Sequence, residues 1–364
     1  MKVLYLTNIP SPYRINFFNE LGKYCDLTVL FERAGSDERD ASWREFSFSN
    51  FKGVVLKGFK IGVDKALCYG VTRYLKKGSF DCIICTDFLT PTGMLAINYM
   101  RRHGISYYLE SDGGIANPIV GIKDKIKTHF IKDAVGYFST SEEHDRYYEA
   151  YGAAKDRIIR YPFSSVWDEQ VLKKPVTVEE KATLRNRLGV KEQQVVLTVG
   201  QFIHRKGFDV LIKVAKEIKS AGFYFVGGEP TEEYLSLKEQ LQLNNIHFVG
   251  FKKPDELNEY YRAADIFVLP TREDIWGLVI NEAMANGLPV VTTTACLAGT
   301  EMVIDGLNGY LVEPEVVQGL ADKITMLLSD PILREQMSVN ALSAAKQYTI
   351  ETMVEKHISE LRRV

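Results

Sequence analysis

Nine short, largely apolar runs alternate with helical stretches along this chain, and that alternation limits it to very few architectures. The runs lie at 3–6, 27–31, 82–85 and 106–109, and then, after a gap, at 195–199, 224–226, 247–249, 266–269 and 290–293. Apolar character that is continuous rather than alternating is what parallel strands need when helices cover both sheet faces. The pattern predicts an α/β chain, and two separate series predict two doubly wound, Rossmann-like domains. The 364 residues suit two domains of ordinary size. The expected divisions are 1–164, 165–345 and a terminal helix, 346–364, that returns to the first domain. Between the series, Thr177 and Glu180 predict a capping box, with the helix they open ending near Gly189. The tail from 332 to 364 reads as helix throughout.

Composition excludes several classes. A formal net charge of −2 argues against a general nucleic-acid binder, which would carry a basic stripe or domain. The first half holds a slight excess of cations and the second an excess of acids. No run of about eighteen apolar residues is present, so no segment is expected to span a bilayer. The start, Met1-Lys2-Val3-Leu4-Tyr5-Leu6, is too short and soon too polar for a signal peptide and reads as a buried strand. Five cysteines, an odd number scattered over a large chain, fit a reducing, cytoplasmic compartment. Cys82 and Cys85 sit three apart on one strand and face opposite sides, which predicts buried thiols rather than a disulfide or metal site.

The stretch from Pro270 to Val290 carries the most chemistry. An apolar strand ends in the acidic loop Arg272-Glu273-Asp274, and a short helix bearing Glu282 stops at Gly287 before the next strand. Such a loop lies at the carboxyl edge of a parallel sheet, where open α/β sheets bind ligands. Read alone, it is equally an ordinary crossover with solvated acids. A second loop follows the strand at 195–199, where Arg205 and Lys206 precede Gly207 and an amphipathic helix. Cations beside a helix N-terminus suit a diphosphate, because backbone amides add to their charge; a solvated Arg-Lys pair is the plainer alternative. Glycine turns close two further strands, at Gly227-Gly228 and Gly250. No G-x-G-x-x-G follows any strand, which disfavours a nicotinamide-dependent dehydrogenase.

Together these elements resemble the nucleotide-sugar glycosyltransferases of family 4, with the GT-B fold. The resemblance spans nearly the whole chain, is strongest from 195 to 312, and includes the segment 305–312. It implies a retaining enzyme of two domains facing a cleft, whose second domain binds a nucleoside-diphosphate sugar. By the same resemblance Lys206 falls on the phosphate-binding lysine and Glu282 on the second glutamate of the E-x7-E signature, which holds the ribose. Gly277, Leu278 and Val279 match the segment whose amides face the distal phosphate. Phe251 and Lys252 follow the glycine where the base rests.

Two positions depart from the family. The first signature glutamate is Asp274, one methylene shorter, with Glu273 just before it; Asp274 is the preferred sugar contact. The arginine expected after the strand glycine is Gln201, so Arg205 is expected to supply the missing charge. Fixed cations and a helix N-terminus can stabilise a diphosphate leaving group without a metal. The nearest acidic pair of the metal-binding kind, Glu110-Ser111-Asp112, lies in the first domain, so neither a metal nor another cofactor is expected.

The first domain is expected to hold the acceptor, a glycan or lipid-linked glycan. Its candidates are Pro12, Tyr13 and Arg14 after the first strand, and Glu110 and Asp112 after the fourth, with Asp112 set to orient or deprotonate the acceptor hydroxyl. The histidine that many relatives carry near this point is missing. A basic amphipathic helix over 118–132, with Ile119, Ile122, Ile126 and Phe130 on one stripe, is expected either to rest on anionic membrane or to pack in the core. A sugar-nucleotide epimerase or phosphorylase of the same fold, and a non-catalytic binding homologue, are the alternatives.

Overall fold

Two parallel sheets account for the apolar runs. In the computed structural model, which describes residues 1–35, 47–61, 65–116 and 121–363, the chain divides into two compact units. Unit 1 comprises Met1–Ser165 with Ile350–Val364, and unit 2 comprises Val166–Thr349.

Unit 1 opens with β1 (Lys2–Thr7), α1 (Pro12–Leu21), β2 (Asp26–Phe31) and β3 (Lys52–Val55), then a small antiparallel hairpin, β4 (Phe59–Ile61) and β5 (Lys65–Leu67). It continues through β6 (Cys82–Cys85), α2 (Pro91–Arg102), β7 (Tyr108–Glu110), α3 (Ile122–Ile131), β8 (Gly136–Ser139), α4 (Glu142–Ala150) and β9 (Ile158–Arg160). Its seven-stranded parallel sheet has the order β3-β2-β1-β6-β7-β8-β9. The core is built on Leu4, Leu6, Leu30, Ile83, Ile97, Leu109 and Tyr137, all essentially without solvent contact. Each large apolar side chain removed from water contributes about 1.5–3 kcal/mol.

Unit 2 begins with α5 (Val178–Leu188), β10 (Val195–Val199), α6 (Phe208–Glu217), β11 (Gly222–Val226), α7 (Glu232–Gln240) and β12 (Ile246–Val249). Next come α8 (Pro254–Ala263), β13 (Ile266–Leu269), α9 (Leu278–Ala285), β14 (Val290–Thr293), α10 (Leu297–Met302), β15 (Gly309–Val312), α11 (Val317–Ser329) and α12 (Pro331–Ala345). The order of its parallel sheet is β12-β11-β10-β13-β14-β15. Val196, Phe208, Leu211, Phe225, Ile266, Val268 and Ile324 form its core. In each sheet the strand order reverses once, between β1 and β6 in unit 1 and between β10 and β13 in unit 2.

Local signals explain several boundaries. Thr177 and Glu180 form the expected reciprocal cap of α5, and Gly189 ends that helix in the left-handed conformation. The first helix starts at Pro12, because proline at N1 costs no helical hydrogen bond. The tail is not one helix: α12 ends at Ala345, and α13 (Ile350–Leu361) starts afresh after Thr349. Threonine suits the residue before a helix better than a helix interior, and the chain passes from unit 2 to unit 1 at this point. Cys82 and Cys85 are buried in β6 with free thiols, as expected for paired positions on opposite strand faces.

Candidate functional site

The strand reversal in unit 2 brings together the two loops singled out in the sequence. After β10 the chain runs through Gly200 and a single 3-10 turn, His204–Lys206, to Gly207 and α6. After β13 it runs from Pro270 to Gly277 and α9. Gly207 is needed where the loops touch: its φ is +66°, and a Cβ there would lie 2.0 Å from the Pro270 carbonyl oxygen. Arg272 fastens the pair from outside, giving Asp209 two hydrogen bonds of 2.8 and 2.9 Å, the His204 carbonyl one of 2.7 Å and Glu315 one of 2.9 Å. The Thr271 hydroxyl and the Arg272 amide both donate to the Arg205 carbonyl, at 2.7 and 2.8 Å.

These ties hold three charges in one place. Lys206 Nζ sits in a short ion pair with Asp274 Oδ2, and Arg205 Nη1 lies 3.4 Å from Asp274 Oδ1. Lys206 and Asp274 are nearly buried, whereas half of the Arg205 side chain is exposed. The Asp274 backbone is itself fixed, its N–H donating to the Ala295 carbonyl at 3.0 Å and its carbonyl accepting from Leu297 at 3.1 Å. Glu273 points its carbonyl at Thr271 and Arg205 and is exposed. Of the two neighbouring acids, Asp274 is therefore the one engaged with the cations.

Three residues beyond Asp274, Gly277 turns the chain with φ +102°, and a Cβ would lie 2.8 Å from Cys296 Sγ. This close turn starts α9, whose first-turn amides, including those of Leu278 and Val279, have no helical carbonyl to meet. Glu282, one turn further on, is half-buried and accepts a 2.8 Å hydrogen bond from the buried Tyr261 hydroxyl. Phe251 is exposed and Lys252 half-buried in the loop after β12. One loop edge thus carries two cations, helix amides and two carboxylates.

Unit 1 treats its predicted residues differently. Glu110 does not follow the fourth strand; it is the last residue of β7 and is fully buried. Its carboxylate forms a short ion pair with Arg14 and accepts from Tyr5 at 3.1 Å and Tyr161 at 3.4 Å. His357 of α13 faces it at 3.3 Å through Nε2 while donating from Nδ1 to the Met353 carbonyl at 2.7 Å. Burial alone would raise the Glu110 pKa, but Arg14 and His357 outweigh it and hold the carboxyl down to about 2. Arg14, expected to contact the acceptor, is only 4% exposed and spends its second nitrogen on Asp112. Asp112 also accepts from Tyr13 at 2.6 Å, so both of its oxygens are engaged. Pro12 serves as the first residue of α1. Glu110 and Arg14 are therefore framework groups, and Asp112 is a held carboxylate rather than an open base.

Two further polar residues stand near these positions. Asp87 follows β6 at the strand reversal of unit 1 and is half-buried. Its Oδ2 accepts from Thr7 Oγ1 (3.2 Å), the Asn8 amide (2.9 Å) and Thr86 Oγ1 (2.9 Å). Burial raises its pKa. His144, from the start of α4, lies behind the 111–114 loop: it is fully buried, meets Ser111 Oγ at 2.8 Å through Nε2 and accepts the Thr140 amide on Nδ1 at 3.2 Å. Burial pushes its pKa down to about 3, so it is a neutral brace for that loop. The signal for Asp87 was in the chain, an acid two residues beyond an apolar strand; what the sequence lacked was that β6 neighbours β1.

Helix α3 covers the later part of the predicted 118–132 segment; Pro118 and Ile119 lie outside the described residues. Phe130 and Ile131 are buried, Ile122 and Ile126 are exposed, and Lys127 stacks on Tyr151 at 4.9 Å.

Comparison with known proteins relates unit 2 to a family model and the whole chain to a fold. Residues 180–343 match the family model for glycosyl transferases, group 1. The chain is 30% identical over 179 residues to an uncharacterized glycosyltransferase of Haemophilus influenzae, covering 47% of this chain and 50% of that protein. It is 31% identical over 221 residues to a D-inositol 3-phosphate glycosyltransferase of Xylanimonas cellulosilytica, covering 58% and 52%. The chain thus spans about half the length of the curated relatives it matches. Solved structures align over its full length: Anabaena Alr3699/HepE in complex with UDP, with a TM-score of 0.80 and 19% identity over all of both chains, and the sucrose-phosphate synthase of Thermosynechococcus elongatus, with 0.77 and 18% over 98% of that chain. At that identity they establish the fold, and the fold is GT-B.

Proposed function

We propose that this chain is a retaining glycosyltransferase. Unit 2 holds a nucleoside-diphosphate sugar, and unit 1 holds a glycan or lipid-linked glycan acceptor for cell-surface polysaccharide or glycoconjugate synthesis. The observation that carries the reading is the placement of Arg205 and Lys206 on the two oxygens of Asp274, beside the start of α9, at a strand reversal. An aspartate held between two cations occupies the place of an anionic ligand. When the diphosphate arrives, it takes Lys206 and Arg205 over from Asp274, which frees the carboxylate to accept hydrogen bonds from the sugar hydroxyls. Glu282 then receives the ribose hydroxyls, and Phe251 and Lys252 flank the base. The similarity to group 1 glycosyl transferases, strongest in this unit, supports the same assignment.

The chemistry follows from where charge develops. As the glycosidic bond breaks, negative charge grows on the distal phosphate, where Lys206, Arg205 and the amides of Leu278 and Val279 stabilise it without reorganising. The departing phosphate oxygen takes the acceptor proton in a front-face displacement, so no strong protein base is required. Asp87 orients the acceptor hydroxyl, a part for which Asp112 is too fully engaged. The exposed Ile122 and Ile126 of α3, with Lys123 and Lys125 beside them, support peripheral contact with an anionic membrane at the cytoplasmic face.

A thermal-shift screen against nucleoside diphosphates and their sugars tests the reading, because a ligand that binds only the folded state raises its melting temperature. A shift with one nucleotide series, absent in Lys206→Ala, is the expected result. No shift with any member would refute it. Release of an altered free sugar without an acceptor would indicate the epimerase instead.

A further inference from the structure

The β4–β5 hairpin of unit 1 is built inside out. Phe59 pairs with Leu67, Lys60 with Ala66 and Ile61 with Lys65. In a two-stranded ladder, paired residues share a face and successive residues alternate between faces. Ala66 is 1% exposed, which fixes its side as the one turned toward the body of the unit. Phe59, Ile61, Lys65 and the half-buried Leu67 therefore share the outward face, where Phe59 is 70% and Ile61 44% exposed, and Lys60 stands on the Ala66 side. A hairpin on a soluble surface normally turns apolar side chains inward and lysines outward. Here a phenylalanine and an isoleucine face solvent, and Tyr69, just beyond β5, is 62% exposed as well.

The charge of the segment that carries this hairpin is equally one-sided. From Lys52 to Phe80 the chain carries Lys52, Lys57, Lys60, Lys65, Arg73, Lys76 and Lys77 against the single acid Asp64, in a protein whose net charge is −2. All seven cationic residues are exposed. We propose that this hairpin is a membrane-docking finger: Phe59 and Ile61 enter the headgroup boundary of an anionic bilayer, and the surrounding cations meet its lipid phosphates. A nucleic acid or acidic glycan would account for the cations but leave the apolar face in water. An anionic bilayer satisfies both. The proposal extends the peripheral contact ascribed to α3, but it stands on separate residues and does not depend on sugar transfer.

Co-sedimentation of the full chain with vesicles, without any nucleotide sugar, tests it. The vesicles are equal parts phosphatidylglycerol and phosphatidylcholine, with pure phosphatidylcholine as the comparison. Wild type is expected to bind the anionic vesicles, and Phe59→Ser with Ile61→Ser to lower the partition coefficient at least about tenfold. Lys57→Gln with Lys65→Gln is expected to cost about fivefold per lysine at low salt, with the difference shrinking at high salt. The lysine pair keeps the test decisive should the serine pair fail to fold, which its melting temperature reports. Ile122→Ser with Ile126→Ser on α3 separates the two surfaces. The hairpin proposal is overturned if the serine pair binds like wild type, if only the α3 pair loses binding, or if wild type is retained by an oligonucleotide but not by vesicles. Transfer to a water-soluble acceptor should be unchanged in every hairpin variant, which keeps this outcome distinct from the fate of the enzymatic reading.

Discussion

The two units share one architecture and use its strand reversal in opposite ways. In unit 1 the polar groups near the reversal close on themselves: Glu110 has Arg14, Tyr5, Tyr161 and His357, and Asp112 has Arg14 and Tyr13. Such a satisfied network fixes a fold. In unit 2 two cations share one carboxylate, and half of Arg205 lies in solvent. On the proposed reading, this cation pair exchanges a single short acid for a doubly charged diphosphate. The same topology thus gives a closed polar network beside one reversal and an exposed cation beside the other.

The largest effect that would sharpen this contrast is expected from Lys206→Ala. Removing the buried cation should cut transfer about a thousandfold, with loss of nucleotide binding measured by calorimetry; retained binding would mean that the diphosphate docks elsewhere. Next comes a test of which acid in unit 1 remains open. Asp87→Asn should raise the acceptor KM by about 10–100-fold with donor affinity intact, while Asp112→Asn changes it less than tenfold. The reverse ranking would return the acceptor role to Asp112.

A smaller effect concerns pH, and unit 1 contains two opposed groups. Burial pushes Glu32 up to about 7 from 4.5, so native Glu32 holds a proton that the unfolded chain has lost, and its contribution fades as pH rises through 7. Burial pushes His144 down to about 3 from 6.5, so the unfolded chain binds the extra proton, and stability is lost as pH falls below 6.5. Between pH 4.5 and 6.5 the two slopes oppose each other. Glu32→Gln should therefore leave stability rising with pH, and His144→Gln should leave it falling, each by at most about 1.4 kcal/mol per pH unit. Denaturant melts across that range would show it, and parallel slopes in the two variants would contradict the assignment. The smallest expected effect is none at all: a chelator should leave the transfer rate unchanged, because Lys206, Arg205 and the α9 amides provide the charge.

The sequence made the contrast only half legible. Central strands declared themselves through unbroken apolar runs, but β3, β8 and β9 did not. Lys52-Gly53-Val54-Val55, Gly136-Tyr137-Phe138-Ser139 and Ile158-Ile159-Arg160 are short and bounded by polar or glycine residues. The unit 2 loops could be read because Asp274 and Glu282 have motif spacing and Lys206 sits beside a glycine turn. The network of unit 1 could not: Arg14 meets Glu110 across 96 positions and His357 meets it across 247, and no local pattern announces such pairings. Arg14 and Glu110 looked like site residues because polar groups at strand ends usually are; here burial made them framework.

Whether Asp274 stands in for a diphosphate can be measured directly by isothermal titration of wild type and Asp274→Asn with the nucleoside diphosphate alone, free of sugar. With the competing charge removed from Lys206 and Arg205, the variant should bind about tenfold more tightly, even as it loses transfer for want of its sugar contact. Equal or weaker binding of the nucleoside diphosphate by Asp274→Asn would contradict the exchange of aspartate for phosphate.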